Sequence, residues 1–120
     1  MRVVGLRGAI SCTEDTAAEV EVKTQRLVKE MLARNEVADD DLVSIFVTAT
    51  PDLTAAYPAS AVRALGYADV PLLGAQEQSV PGGLPRCIRI LIHFYSARRR
   101  AEVQHVYLEE ARTLRADLPE

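Results

Sequence analysis

One apolar run with a single charge inside it constrains this chain more than any other stretch. Cys87-Ile88-Arg89-Ile90-Leu91-Ile92-His93-Phe94 is the most apolar segment and reads as an interior β-strand. Side chains alternate along a strand, so Ile88, Ile90, Ile92 and Phe94 line a core wall, and Cys87, Arg89, Leu91 and His93 line the opposite one. A guanidinium cannot be deprotonated and is almost never fully buried without a partner, so an anion should meet Arg89. That anion is either a protein carboxylate or a ligand. An arbitrary strand arginine sits on a solvated face or in a structural ion pair. The flanking residues favour a ligand here: Gln76-Glu77 and the turn Pro81-Gly82-Gly83 lie upstream, and His105-Val106-Tyr107 and Arg115 lie downstream. These are polar groups able to converge on one small anion.

Composition narrows the field by exclusion. At 120 residues the chain fits one domain over 1–120, with enough surface for its volume that oligomerisation could complete the burial. A net charge of −3 lacks the basic footprint that nucleic acid requires, and Arg98-Arg99-Arg100 reads as a solvated loop. No leader-like stretch opens the sequence and no window approaches a membrane span, so the expected partners include no membrane and the expected address is the cytoplasm. Cys12 and Cys87 form neither a disulfide framework nor a zinc signature and read as reduced structural thiols.

Taken in order, Met1 to Ile10 predicts a first strand carrying Arg7, with glycines that allow close backbone approach. Thr16-Ala17-Ala18-Glu19 has capping-box spacing, and the apolar period that follows predicts a helix over 16–34, with Asn35 as its stop. Asp39-Asp40-Asp41 lacks the glycine and distal glutamate of a calcium loop and reads as a solvated turn. Leu42 to Thr48 predicts the second strand, ended by Thr50-Pro51-Asp52. Pro58 then opens a short helix that Gly66 ends. Val70 to Gly74, running into Ala75-Gln76-Glu77, predicts the third strand and Arg86 to Ser96 the fourth. Val103 to Tyr107 predicts a fifth strand and Glu109 to Leu114 a short helix. The order β-α-β-α-β-β-β implies an α+β fold with one mixed β-sheet and its helices on one face. The other face, with Leu91 and Tyr95, needs a cover, and identical subunits could supply it.

The usual catalytic sets are absent: no nucleophile elbow, no glycine-rich phosphate loop and no His-Glu-Xaa-Xaa-His occur. His93 and His105 are too few to anchor a metal and read as structural, which leaves arginine, glutamate and tyrosine. Gly5-Leu6-Arg7-Gly8-Ala9, Ala49-Thr50-Pro51-Asp52-Leu53 with Tyr57-Pro58-Ala59 and Arg63, and Gln76-Glu77 follow one another along the chain. Gly82-Gly83-Leu84 with Cys87-Ile88-Arg89, His105-Val106-Tyr107-Leu108-Glu109 and Leu114-Arg115-Ala116-Asp117-Leu118 complete the series. In this order the motifs resemble the small α/β chorismate mutases that assemble as trimers, as opposed to the all-helical type.

The resemblance implies a pseudo-α/β-barrel homotrimer that converts chorismate to prephenate, in aromatic amino-acid biosynthesis, at clefts between subunits. It implies no metal and no organic cofactor. By family position, Arg89 is the cation that meets charge developing on the ether oxygen, and Glu77 accepts from the ring hydroxyl. Arg7 and Tyr107 hold the side-chain carboxylate. Tyr57, Ala59, Arg63, Leu73 and Gly74 match the wall that the resemblance places on an adjoining subunit, with Arg63 near the mouth, and Ala75 and Gln76 are further substrate-binding residues. Leu114 and Arg115 belong to a tail that orders over the ligand. Two residues depart from the family pattern: Gly74 stands where cysteine is common and Tyr57 where phenylalanine is usual. Two other functions are compatible with such a chain: a trimeric module that binds a small carboxylate without transforming it, and an enamine or imine deaminase of related fold.

Overall fold

The computed structural model describes residues 1–115, and among them the apolar run of the sequence is the middle of everything. Strands β1 (Arg2–Ser11), β2 (Leu42–Ala49), β3 (Leu72–Gln76), β4 (Cys87–Ser96) and β5 (Val106–Leu108) form one mixed sheet in the order β3-β2-β4-β1-β5. The central strand β4 is antiparallel to β1 and β2, whereas β3 runs parallel to β2 and β5 parallel to β1. Ile88, Ile90, Ile92 and Phe94 are all 2% exposed or less. Burying each of them fully stabilises the fold by roughly 1.5–3 kcal/mol, which explains why this strand tolerates a charge only on its other face.

Helices α1 (Ala17–Arg34) and α2 (Pro58–Arg63) cover the face those residues line. The N-cap of α1 is Thr16, whose Oγ1 accepts the N–H of Glu19 at 3.1 Å. Only that half of the expected capping box forms, because the Glu19 carboxylate turns instead to the N–H and hydroxyl of Thr13. Val20, Leu27, Val28, Met31 and Leu32 bury the inner stripe of α1. A Cβ on Gly8 would fall 2.5 Å from Met31 Sδ, so α1 lies directly on the β1 backbone at this point. Gly5 has no such neighbour. The turn after α2 passes through Gly66 at φ +102°, a conformation that favours glycine.

The opposite face is open at one end and covered at the other. Val3, Phe46, Leu73 and Tyr95 are exposed on it, and Phe46 has Leu73 and Leu91 as register partners. At the covered end, the C-terminal 3₁₀ segment (Glu109–Arg115) packs Ala111 and Leu114 with Ala9, Cys87 and Tyr107. Cys87 is therefore buried although it lies on the wall opposite the main core. The Glu109 carboxylate, on a residue at φ +55°, reaches Lys23 and Arg26 on α1, and Ser11 Oγ accepts the N–H of Glu110. The Glu109 to Leu114 stretch is thus a pinned 3₁₀ run rather than a short α-helix.

The fifth strand starts later than Val103, since Arg100–Glu102 forms a 3₁₀ turn and the Gln104 N–H bonds to Asn35 Oδ1 instead of to a ladder. The arginine run before it is tied down: Arg98 pairs with Glu36 and donates to the Glu102 carbonyl, and Arg99 pairs with Glu102.

Candidate active site

On the open face the strand registers set up a row of side chains. Ala75 on β3, Thr48 on β2, Arg89 on β4, Ala9 on β1 and Tyr107 on β5 are successive cross-strand partners. Residues opposite one another in neighbouring strands share a face, so Ala9, being small and buried, separates Arg89 from Tyr107 without filling the space above. Arg7 faces the same way one step along β1, diagonal to Arg89.

The anion that meets Arg89 is Glu77. Arg89 Nε lies 3.2 Å from Glu77 Oε2, with the two side chains 46% and 26% exposed. Thr48 Oγ1 donates to the same oxygen at 2.9 Å, and the Gln78 N–H donates to Oε1 at 3.3 Å. The Glu77 N–H bonds to the Ala49 carbonyl and so extends the β2–β3 ladder past its last strand residue. An ion pair this exposed contributes about 0–1 kcal/mol to stability, so stability alone does not account for a charge in the most apolar strand. Cys87 adjoins the guanidinium, and burial pushes its thiol pKa up even though Arg89 pulls it down, which keeps the thiol neutral beside the cation.

The pair opens into a hollow of about 370 Å³ whose rim includes Val80, Gly83 and Leu84. Its base is held by Thr50 and Asp52. Thr50 Oγ1 accepts the Cys87 N–H at 3.0 Å and donates to Asp52, and both Asp52 oxygens accept the Arg86 N–H. Arg86 itself stands at φ +47°, with its Nε donating to the Cys12 carbonyl at 3.1 Å. The residues that position the start of β4 are therefore those that end β2 in the sequence and belong to its Ala49-Thr50-Pro51-Asp52-Leu53 motif.

The expected site residues fall into two groups. Arg89 and Glu77 line the hollow just described, and Arg7 and Tyr107 share its sheet face but lie outside its walls. The Arg7 N–H is fixed by His105 Nδ1 at 2.9 Å, which gives His105 a definite structural role. Leu114 packs beside Tyr107, and Arg115 closes the 3₁₀ segment. The rest of the expected tail, Ala116-Asp117-Leu118, lies outside the described residues.

The second group lines a larger hollow, about 780 Å³, beneath α2: Tyr57, Ala59, Arg63, Gly74, Ala75 and Gln76. Gly74 and Gln76 pair with Val47 and Ala49 and so face the helices, and a Cβ on Gly74 would meet that of Ala59 at 3.5 Å. Leu73 points the other way, beside Phe46, and is 60% exposed. Thr50 and Pro51 belong to the walls of both hollows. Sequence reasoning missed Thr48, Thr50 and Asp52. Thr48 could be found only through its pairing with Arg89, which no local pattern encodes. No group of three or more His, Cys, Asp and Glu side chains suited to a metal occurs among the described residues.

A single mixed sheet with helices on one side, and a half-exposed arginine–glutamate pair in a hollow on the other, defines a small α+β protein whose site offers fixed charges to a polar ligand. The sequence profile of the chorismate mutase type I family covers residues 3–118. The chain is 44% identical over 117 residues to chorismate mutase AroH of Thermus thermophilus, covering 97% of this chain and 96% of that protein. It is 40% identical over 119 residues to chorismate mutase AroH of Bacillus subtilis (strain 168), covering 98% and 94%. The solved structure of a chorismate mutase from Clostridium thermocellum superposes with a TM-score of 0.89 at 39% identity, over 92% of this chain and 98% of that one. The chain belongs to the chorismate mutase type I family.

Proposed function

We propose that Arg89 and Glu77 are the centre of a site that rearranges chorismate to prephenate. The chain is a chorismate mutase, an isomerase of aromatic amino-acid biosynthesis. The reaction is a concerted Claisen rearrangement: the carbon–oxygen ether bond breaks as a new carbon–carbon bond forms, and negative charge builds on the ether oxygen. No proton transfer and no covalent intermediate are needed. A cation fixed where that charge develops binds the transition state more tightly than the substrate, and this difference is the source of the rate. The observation that carries the reading is the grip of Glu77 on Arg89: it holds the guanidinium by Nε, in a hollow open to a ligand.

Arg7 and Tyr107 hold the side-chain carboxylate and keep the substrate folded over its ring, in the shape from which bond formation proceeds. Glu77 takes the ring hydroxyl. The wall from Tyr57 to Gly74 comes from a second copy of the chain, and Leu114 and Arg115 close over the ligand. Two observations support sharing. Arg63 and Tyr57 line the larger hollow and Arg89 and Glu77 the smaller, and the two hollows share only Thr50 and Pro51 as walls. The open face also exposes Val3, Phe46, Leu73 and Tyr95, an apolar surface suited to packing against copies of itself. The assembly is a homotrimer of single-domain chains. No helix among the described residues is long and apolar enough to cross a membrane.

Two measurements on the purified protein test this. Chorismate absorbance should decay with prephenate as product, and light scattering should give three times the mass of the chain. Chorismate left intact would leave a carboxylate-binding module as the reading, and a monomer would remove the shared site.

A further inference from the structure

We propose that Thr48 is a positioning residue that keeps the Arg89–Glu77 pair monodentate and so leaves the Nη edge of the guanidinium for substrate. The proposal rests on the reading of Arg89 as the reactive cation. A carboxylate oxygen has two lone-pair directions. On Glu77 Oε2 one is taken by Thr48 Oγ1 at 2.9 Å, and Arg89 Nε stands 3.2 Å from the same oxygen as an ion-pair contact. Oε1 has one donor, the Gln78 N–H at 3.3 Å, which leaves one direction for a ligand hydroxyl. The two carboxylate oxygens are thus divided, one toward the protein and one toward the ligand.

Without the Thr48 hydroxyl, the carboxylate is free to turn until both of its oxygens face the guanidinium. Arginine and carboxylate readily form a two-point clamp, in which planar donors meet both oxygens side by side. Such a clamp would turn the Nη edge away from the hollow and balance the positive charge against Glu77 instead of against the ether oxygen. The fold places the hydroxyl well for this task. Thr48 is the direct register partner of Arg89 on one side and of Ala75, two residues before Glu77, on the other. Its branched Cβ restricts χ1, so the direction of the hydroxyl is set by the strand. The Glu77 backbone is held independently by the Ala49 carbonyl, so the hydroxyl governs the orientation of the carboxylate and not the path of the chain.

The test compares Thr48→Val, which keeps the shape and loses the donor, with Thr48→Ser, which keeps the donor. Thr48→Val should lower kcat roughly ten- to a hundredfold, as expected for a hydrogen bond to a charged group, with KM changed far less. Thr48→Ser should stay within a few-fold of the parent. In a Glu77→Gln background, Thr48→Val should add nothing further, because the group it orients is already altered. Equal losses in the valine and serine variants would assign Thr48 to packing alone and overturn the proposal, and so would losses that multiply with those of Glu77→Gln.

A readout independent of turnover is the nitrogen-15 spectrum of Arg89 in the ligand-free protein. Thr48→Val should bring its Nη protons into slow, separately resolved exchange, as a clamp requires. An unchanged Arg89 spectrum overturns the proposal whatever the enzyme does with chorismate. A changed spectrum in a protein that leaves chorismate intact upholds the role of Thr48 in the pair and overturns the assigned reaction instead.

Discussion

The two hollows at one end of the sheet are built on different principles. The smaller is polar and prearranged: Glu77 is held by Thr48, Gln78 and the Ala49 carbonyl, and it in turn holds Arg89. The larger, under α2, is a shaped surface of small residues, Ala59, Gly74 and Ala75, with Tyr57 82% exposed at its edge and Arg63 exposed on the helix end. One offers fixed charge and the other offers shape. Charge matters in proportion to how much it changes during the reaction, whereas shape is felt equally by substrate and transition state. Substitutions in the two places should therefore fail in different ways.

The largest effect is expected at Arg89. Removing one preorganised donor aimed at developing charge typically costs about 2.7–4 kcal/mol, or a hundred- to a thousandfold in kcat, and loss of a full cation should cost at least that. Arg89→Lys keeps the charge and loses the planar fork, so it should recover little. Arg63→Ala should raise KM more than it lowers kcat. Steady-state kinetics on both variants decides the matter: a kcat for a folded Arg89→Ala protein within a few-fold of the parent would erase the contrast and return Arg89 to a structural ion pair.

Mixing sharpens the comparison. If Arg89 and Arg63 serve one site from different copies, Arg89→Ala and Arg63→Ala chains should regain activity when their subunits exchange, because some interfaces then combine two intact halves. Mass spectrometry can confirm exchange. Mixed assemblies no more active than their parents would place both halves of the site within one chain.

The smallest effect is chemical. The thiols near the charged hollow are closed to reagents, since burial raises Cys87 and pushes Cys12 from 9.0 up to about 11. Gly74 is exposed and has room for a Cβ beside Ala59. In Gly74→Cys the introduced thiol should react with iodoacetamide at neutral pH, and bound ligand should slow that reaction, while Cys12 and Cys87 stay unmodified in both proteins. The sign at high pH is also set. The unfolded thiol of Cys12 ionises near 9.0 and the folded one near 11. Its contribution to stability is thus complete below pH 9 and is lost as the pH rises toward 11. Melting temperatures of the parent should fall across that window more steeply than those of Cys12→Ala.

Much of the fold was legible because it rests on local periodicity. The alternation in β4, the 3.6-residue stripe of α1 and the proline and glycine that bracket α2 all express one-dimensional rules, and those elements lie where the residues indicate. The elements that depart from expectation are those whose backbone bonds are decided by distant partners. The fifth strand is short because Asn35 takes the Gln104 N–H, and the C-terminal run is 3₁₀ because Glu109 answers to cations on α1.

The same division runs through the site. That Arg89 needed an anion followed from its place in an apolar strand, and the order of motifs was enough to point to a family. That the anion is Glu77, that Thr48 shares its oxygen, and that Asp52 and Thr50 hold the start of β4 depended on strands brought together in one particular register. A strand's residues say which faces it has. Only pairing with neighbours, which shifts every side chain to the other face with a slip of one residue, says what each face meets.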